Sequence, residues 1–259
     1  MTTVALTIAG SDPSGGAGLQ ADHKTFAAFG VYGASVVTAL TVQDTTGVHD
    51  VAAVDPALVE AQLSAVLADL PVAAAKTGML ATAAVLDAVV RALRVRPVPL
   101  LVVDPVLAAT TGRVLADDTL LPALRERLLP LASVVTPNLA EAAALTGLSV
   151  DAGPGMHAAA RALVDLGARA ALVTGGHLAG SPCDVLLADG VVHEIRGTRV
   201  AAARTHGTGC TFSAALAAGL ALGRPLPDAA RAAHEYVARA LATAPALGRG
   251  HRPLNHRPQ

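Results

Sequence analysis

Short apolar runs alternate with longer segments of helical period along most of the chain. Val4–Ala9 reads as a buried strand ending at Gly10, followed by a Gly-rich loop, Gly10–Gly18, and a helix over Leu19–Phe29 stopped by Gly30. Ser35–Val42 is β-branched and apolar and predicts a second buried strand, with Gln43 and Asp44 just past it and a short strand over Val48–Val54. Asp55-Pro56 starts a helix, because a capping carboxylate precedes a proline at the first helical position. One face then stays apolar through Leu58, Val59, Leu63, Val66, Leu67 and Leu70. Further strands are expected at Ala73–Lys76, Pro99–Val103, Val134–Thr136 and Ala170–Val173. The helices between and around them are expected at Ala83–Leu93, Thr119–Leu128, Leu139–Leu145 and His157–Leu166. Val185–Leu187 and Val191–Ile195, split by Asp189-Gly190, predict a hairpin. His206–Cys210 opens into an Ala/Leu-rich helix, a last helix runs from Pro227 to about Ala242, and the polar tail from Pro245 reads as loose.

This alternation predicts a single α/β domain over residues 1–245, with a mostly parallel sheet covered on both faces, followed by a loose tail at 246–259. In such sheets ligands bind beyond the carboxyl ends of the strands. The chemically versatile residues fall there repeatedly: Gly10–Gly18, Gln43, Lys76–Met79, Asp104, Asn138 with Glu141, Gly175–His177 and His206–Cys210. The opposite connections, Gly30–Gly33 and Arg94–Pro97, carry only turn residues and surface charge. That one-sidedness points to an active site.

Composition narrows the function. The 259 residues are 53% hydrophobic but only 2% aromatic, so the core is Ala, Val and Leu, and stacking platforms for single-stranded nucleic acid are not expected. A net charge of −1 gives no basic patch for nucleic acid or membrane, and no run is long and apolar enough to span a bilayer. Two cysteines, Cys183 and Cys210, make neither a disulfide framework nor a zinc set, and a cytoplasmic location is expected. The N-terminus does not read as a signal peptide.

Each candidate has two readings. Gly207 and Gly209 allow a tight turn with N–H groups exposed, at the positive end of the following helix, which is a recipe for an anion site. Cys210, in the first turn of that helix, is either a small buried hydrophobe or a thiol whose proton is loosened by the helix start. Gln43 offers a donor and an acceptor side by side, suited to an aminopyrimidine edge, or is simply solvated. Asp104 caps a turn or holds Mg²⁺. Asn138 and Glu141 have the spacing of a capping box, which alone explains both. Lys76 suits a phosphate as a point charge, or snorkels to the surface. His177 and His206 read as polar wall residues. The Gly-rich loop ends in neither GK[ST] nor GxGxxG, which argues against a P-loop and a Rossmann dehydrogenase.

These motifs taken together resemble the hydroxymethylpyrimidine/phosphomethylpyrimidine kinases of thiamine biosynthesis, in the ribokinase-like superfamily. The matching stretches are LTIAGSDPSGGAGLQADHKTF (6–26), TALTVQDTTGV (38–48), AKTGML (75–80), VVDPVL (102–107), TPNLAEAAALTG (136–147), GGH (175–177) and THGTGCTFSAALAA (205–218). The resemblance implies a three-layer α/β/α sandwich, a homodimer, and two successive phosphoryl transfers from ATP with Mg²⁺. The acceptors would be 4-amino-5-hydroxymethyl-2-methylpyrimidine and then its monophosphate. By matching position it implies that Gln43, Gly10, Asp22, Met79 and Val106 line the pyrimidine pocket. Gly207, Thr208 and Gly209 would form the anion hole, and Cys210 would be the base. Lys76, Asn138, Thr174 and His206 would face the nucleotide phosphates, and Asp104 and Glu141 the metal. Thr174 stands where the family often has Lys, Arg204 where it often has a small polar residue, and 110–112 lacks a basic residue found in some members. A vitamin B6 kinase is the nearest alternative, and a non-catalytic pyrimidine-binding protein a further one.

Overall fold

The computed structural model describes residues 2–258 except 110–111, 114, 116, 152, 177–180 and 201–203, so His177 and Thr110 lie outside the described residues. In chain order the elements are β1 (Val4–Gly10), α1 (Gly18–Ala28), β2 (Tyr32–Asp44), β3 (Gly47–Ala53), α2 (Pro56–Asp69), β4 (Val72–Thr77), α3 (Ala83–Val95) and β5 (Leu101–Val103). Then come α4 (Leu120–Ala123), β6 (Val134–Val135), α5 (Leu139–Thr146), α6 (Gly153–Asp165), β7 (Ala170–Val173), β8 (Cys183–Ala188) and β9 (Val191–Arg196). The chain closes with β10 (Thr205–His206), α7 (Thr208–Ala221), α8 (Leu226–Ala242) and β11 (Arg252–Pro253).

Nine strands form one sheet in the order β3-β2-β1-β4-β5-β6-β7-β8-β9. Pairing is parallel from β2 through β7 and antiparallel at β2–β3, β7–β8 and β8–β9. Side chains alternate across the strands. Leu6, Ile8, Ala75, Val103 and Val135 pack with α2 to α6, while Ala5, Ala74, Val102 and Val134 pack with α1, α7 and α8. The result is the three-layer sandwich expected.

The central helix shows how a chain without Trp fills its core. All residues from Thr211 to Leu220 of α7 are buried. Its alanines let it lie close to the sheet and α8, and a Cβ at Gly219 would come within 3.1 Å of Ala229.

Several expected elements differ. The second strand is longer, and its outer half exposes Leu40 and Val42 (57% and 60%), so it is not buried throughout. Leu120–Ala123 runs into a wide π turn over Leu124–Leu128 and a 3-10 turn over Leu129–Leu131 in place of one regular helix. Pro130 explains this, since it has no N–H to extend an α ladder. The sixth helix starts at Gly153, earlier than the expected His157. The tail is not loose. β11 pairs in parallel with β10, Leu254 and His256 are buried, and the Tyr236 hydroxyl donates to the His256 carbonyl at 2.9 Å. A polar composition hid these backbone anchors.

Candidate active site

A cleft of about 1110 Å³ opens beyond the carboxyl ends of the parallel strands. Gly10, Gln43, Met79, Val106, Asp104, Asn138, Glu141, Thr174, His206 and Gly207–Cys210 all line it. Thirteen of the fifteen positions named from sequence therefore share one cavity. That volume holds a nucleotide and a small ring together.

The Gln43 wall is apolar. Met79 packs with Ala39 and Ala81, and Val51, Val106 and Leu115 lie against them. Met79 packs its methyl against the bare Gly10 backbone, where a Cβ would lie 2.4 Å from it and push the thioether aside. The Thr41 hydroxyl donates to the Ser11 carbonyl at 2.8 Å and lies 3.4 Å from Gln43 Oε1, which sets the amide beside the Gly-rich loop.

Two helix starts meet at the cleft floor. Gly207 caps α7 with φ +81°, and a Cβ on it would fall 1.9 Å from the Gly16 carbonyl oxygen. The first intrahelical bond is from the Thr211 N–H to the Gly207 carbonyl, which leaves the N–H groups of Thr208, Gly209 and Cys210 without an acceptor in the helix. Open space lies over Gly209. Gly18 starts α1, and a Cβ on it would lie 2.4 Å from the Gly10 carbonyl oxygen. The loop between Gly10 and Gly18 turns several of its own amides inward. Asp12, itself buried, accepts from the N–H groups of Ser14, Gly16 and Ala17 at 2.8, 3.1 and 2.8 Å. His206 packs its ring on Gly16, with Nδ1 4.0 Å from Asp12 Oδ2 and Nε2 unpartnered among the described residues. Burial pushes its pKa down, against the pull of the Asp12 carboxylate.

Behind this floor runs a buried chain of charge. Lys76 Nζ donates to both Asp22 oxygens at 2.9 Å and lies 4.0 Å from Asp104 Oδ2. The Thr7 hydroxyl donates to Asp22 Oδ2 at 2.6 Å, and the Ser213 hydroxyl to Asp104 Oδ2 at 2.8 Å. Lys76 and Asp22 are fully buried and do not line the cleft, which corrects both expectations. Lys76 is neither a surface lysine nor exposed to a phosphate; it neutralises two carboxylates distant in sequence. Burial works against its charge, but Asp22, Cys210 and Asp104 outweigh it and hold the ammonium above the usual lysine range.

The same burial acts on the acids. It raises Asp104, against the pull of Lys76 and Ser213. It pushes Glu141 up to about 8, with the nearby Asp104 charge adding and the Asn138 and Leu107 N–H groups opposing. It pushes the Cys210 thiol up to about 12, with Lys76 and the Gly18 N–H opposing and Asp104 and Asp22 adding. A loosened thiol proton is therefore not found in the open cleft, because desolvation outweighs the helix start.

The capping box is real. Asn138 Oδ1 accepts from the Glu141 N–H, and Glu141 Oε2 from the Asn138 N–H, both at 3.0 Å. It does not exclude a metal role, since Glu141 also faces the cleft beside Asp104. Among the described residues no three His, Cys, Asp or Glu side chains gather as a metal site. Two hard carboxylates close enough for Asp104 to raise the pKa of Glu141 nonetheless suit Mg²⁺, which commonly takes one or two protein carboxylates and completes its shell with phosphate and water.

Some lining residues were not foreseen. Asp184 Oδ2 pairs with His234 Nδ1 at 2.7 Å, and its Oδ1 accepts from the Gly175 N–H at 2.9 Å. That hydrogen bond raises the pKa of His234. The two residues come from a hairpin and a remote helix, and no spacing signal joins them. His251 also lines the cleft, from the tail expected to be loose.

A family model described as phosphomethylpyrimidine kinase matches residues 12–255. A hydroxymethylpyrimidine/phosphomethylpyrimidine kinase of Rhizobium meliloti is 48% identical over 260 residues, covering 99% of this chain and 97% of that protein. A thiamine biosynthesis bifunctional protein of Geobacter sulfurreducens is 48% identical over 252 residues, 97% of this chain, and the chain spans only 51% of that longer protein. Among solved structures, Bacillus subtilis pyridoxal kinase with ADP aligns with a TM-score of 0.91 at 36% identity, covering 100% of this chain and 98% of that one. Clostridium difficile phosphomethylpyrimidine kinase aligns at 0.83 and 36% identity, covering 92% and 99%. No helix among the described residues is long and apolar enough to cross a membrane.

Proposed function

The chain belongs to the phosphomethylpyrimidine kinase family, and we propose from that premise how its cleft divides the work. The reaction is ATP-dependent phosphorylation of the hydroxymethyl group of 4-amino-5-hydroxymethyl-2-methylpyrimidine, and then of the resulting monophosphate, in thiamine biosynthesis. Gln43 reads the amino and ring-nitrogen edge, with Gly10, Met79 and Val106 as the flat apolar walls of the ring pocket. Asn138, Thr174 and the Gly175–Gly176 turn face the nucleotide. The N–H groups of Thr208, Gly209 and Cys210 receive the γ-phosphoryl group.

In the first step the alcohol oxygen bonds to the γ-phosphorus and the bond to the β,γ-bridging oxygen breaks, releasing ADP. Phosphoryl transfer of this kind needs alignment and charge neutralisation more than a strong base. The α7 start supplies fixed donors for the equatorial oxygens. Cys210 takes the alcohol proton late, as a thiolate: burial keeps the resting thiol protonated, so it first releases its own proton to solvent, a step that Lys76 and the Gly18 N–H favour. In the second step a phosphate oxygen of the monophosphate attacks. Ionised, that group has no proton to lose on the attacking oxygen, so the thiol has less to do. Asp104 and Glu141 are the residues to hold Mg²⁺, which would supply further neutralisation of the phosphates.

The observation that supports this most is the uncapped start of α7, open over Gly209, in the same cleft as Gln43. The test is turnover of the pure protein with ATP, followed by phosphorus NMR. Monophosphate and then diphosphate should appear, and absence of diphosphate refutes the two-step reading. Faster turnover of pyridoxal than of the pyrimidine would instead favour the activity named for its solved structural relatives. We place the protein in the cytoplasm as a homodimer, joined through the outer face of the β2–β3 hairpin, where Leu40 and Val42 are exposed.

A further inference from the structure

Gln43 stands on an unusual support. β1 pairs with β2 only as far as Ala39, so within the sheet residues 40–44 pair with β3 alone, and the Thr41–Ser11 hydrogen bond is their tie to the Gly-rich loop. A two-stranded extension of this kind is marginally stable by itself.

The C-terminal segment supplies the missing support. Thr45 sits in the turn between β2 and β3, two residues beyond Gln43. Arg249 and Gly250 donate their N–H groups to Thr45 Oγ1 at 3.1 and 3.2 Å, and His251 donates its N–H to the Thr45 carbonyl at 2.7 Å. Glycine is needed for this approach. A Cβ at position 248, where φ is +75°, would lie 2.2 Å from Thr45 Oγ1, and one at position 250 would lie 2.1 Å from the Thr45 carbonyl oxygen.

The same segment then crosses to the anion loop. The Arg252 N–H donates to the Arg204 carbonyl at 2.8 Å, and β11 pairs with β10. His251 Nδ1 lies 3.3 Å from the Thr205 carbonyl oxygen, and β10 leads directly into Gly207. Thr211 Oγ1 and His256 Nε2 are 3.1 Å apart, and the Asn255 N–H donates to the Ala240 carbonyl at 3.1 Å. One short stretch therefore binds both the hairpin carrying Gln43 and the strand and helix flanking the anion hole.

We propose that residues 248–256 form a clasp that sets the position of Gln43 relative to the anion hole, with Thr45 and Gly250 as positioning residues. The proposal rests on the reading of Gln43 as the pyrimidine contact. Ordering each of these polar residues costs roughly 1–2 kcal/mol of backbone entropy. The hydrogen bonds to both rims and the burial of Leu254 and His256 offset that cost, so the order of the segment depends on both rims together.

The experiment compares Gly250→Ala, Thr45→Val, Thr45→Ser and Gln43→Ala, and the double variant Gln43→Ala/Gly250→Ala. Opening the clasp by Gly250→Ala or Thr45→Val should raise KM for the pyrimidine alcohol by about tenfold or more, since misplacement by a fraction of an ångström has effects of that order. KM for ATP should stay within about twofold, and amides of residues 40–47 should exchange faster with deuterium. Thr45→Ser keeps the acceptor oxygen and should restore the wild-type KM. In the double variant, Gly250→Ala should add no further rise in pyrimidine KM, because the clasp acts through Gln43. If Gln43→Ala raises KM but Gly250→Ala and Thr45→Val do not, the clasp is overturned and the ring assignment stands. If Gln43→Ala has no effect, the ring assignment fails and takes the clasp with it. Should Gly250→Ala not fold, Thr45→Val against Thr45→Ser decides alone.

Discussion

Lys76→Met removes one charge from the middle of the buried chain and keeps most of the side-chain volume. Asp22 loses both of its 2.9 Å partners from the ammonium and keeps the Thr7 hydroxyl; Asp104 keeps Ser213. Breaking a buried ion pair by deleting one partner costs about 3–5 kcal/mol, because a charge is left desolvated and unpaired. Against a whole-domain stability of about 5–15 kcal/mol the variant should still fold. The cost depends on pH in both directions. As pH falls, the stranded carboxylates take up protons and the deficit shrinks. The wild-type lysine has a raised pKa when folded, so its contribution is complete below about pH 10.4 and fades as pH climbs beyond that. Urea unfolding of both proteins at pH 5, 7.5 and 10 measures this directly. A second reading comes from Cys210. Without the ammonium its thiol pKa rises further, so iodoacetamide should label it more slowly at pH 8.5. A deficit below about 1 kcal/mol at pH 7.5, or one that does not change with pH, would refute the charge-chain reasoning.

Cys210→Ala should slow the first transfer by about 10²–10⁴ but the second far less, measured by starting separately from the alcohol and from the monophosphate; equal losses would remove the thiol from proton transfer. Gly207→Ala forces a Cβ to within 1.9 Å of the Gly16 carbonyl oxygen at φ +81° and should cost about 10²–10³ in kcat/KM at both steps, with circular dichroism unchanged. Glu141, at about 8 in the open cleft, must lose its proton to bind a cation. Apparent Mg²⁺ affinity should therefore rise about tenfold per pH unit up to pH 8 and level off above it, and Glu141→Gln should flatten that slope. Val42→Lys places a charge on the exposed hairpin face and should give a monomer by light scattering; an unchanged dimer would move the contact elsewhere.

The layers and the ligand edge were legible because strand residues such as Leu6 and Ile8 are continuously apolar and the turns after them are not. The helix starts were legible for the same kind of local reason: Asp55 caps Ala57 and Leu58, and Asn138 and Glu141 cap each other as their spacing implied. Lys76 was misread because its partners, Asp22 and Asp104, are joined to it only by the sheet. The tightly held proton of Cys210 was not legible because a helix start is a local feature, whereas desolvation depends on everything packed around it. Asp184 and His234 went unseen for want of any shared pattern. The tail was misread because backbone N–H groups donating to Thr45 leave no trace in side-chain composition.

Thr45 and Gly250 touch across a sequence separation of 205 residues. A ribosome makes the β2–β3 hairpin long before residues 248–256. Between those moments the hairpin tip has its sheet neighbour but no clasp. A protein ending before residue 248 should therefore keep its main sheet, yet lack the ties at both the hairpin tip and β10 and take up the pyrimidine poorly. Substrate competence would wait on a segment made 205 residues after the hairpin turn it steadies.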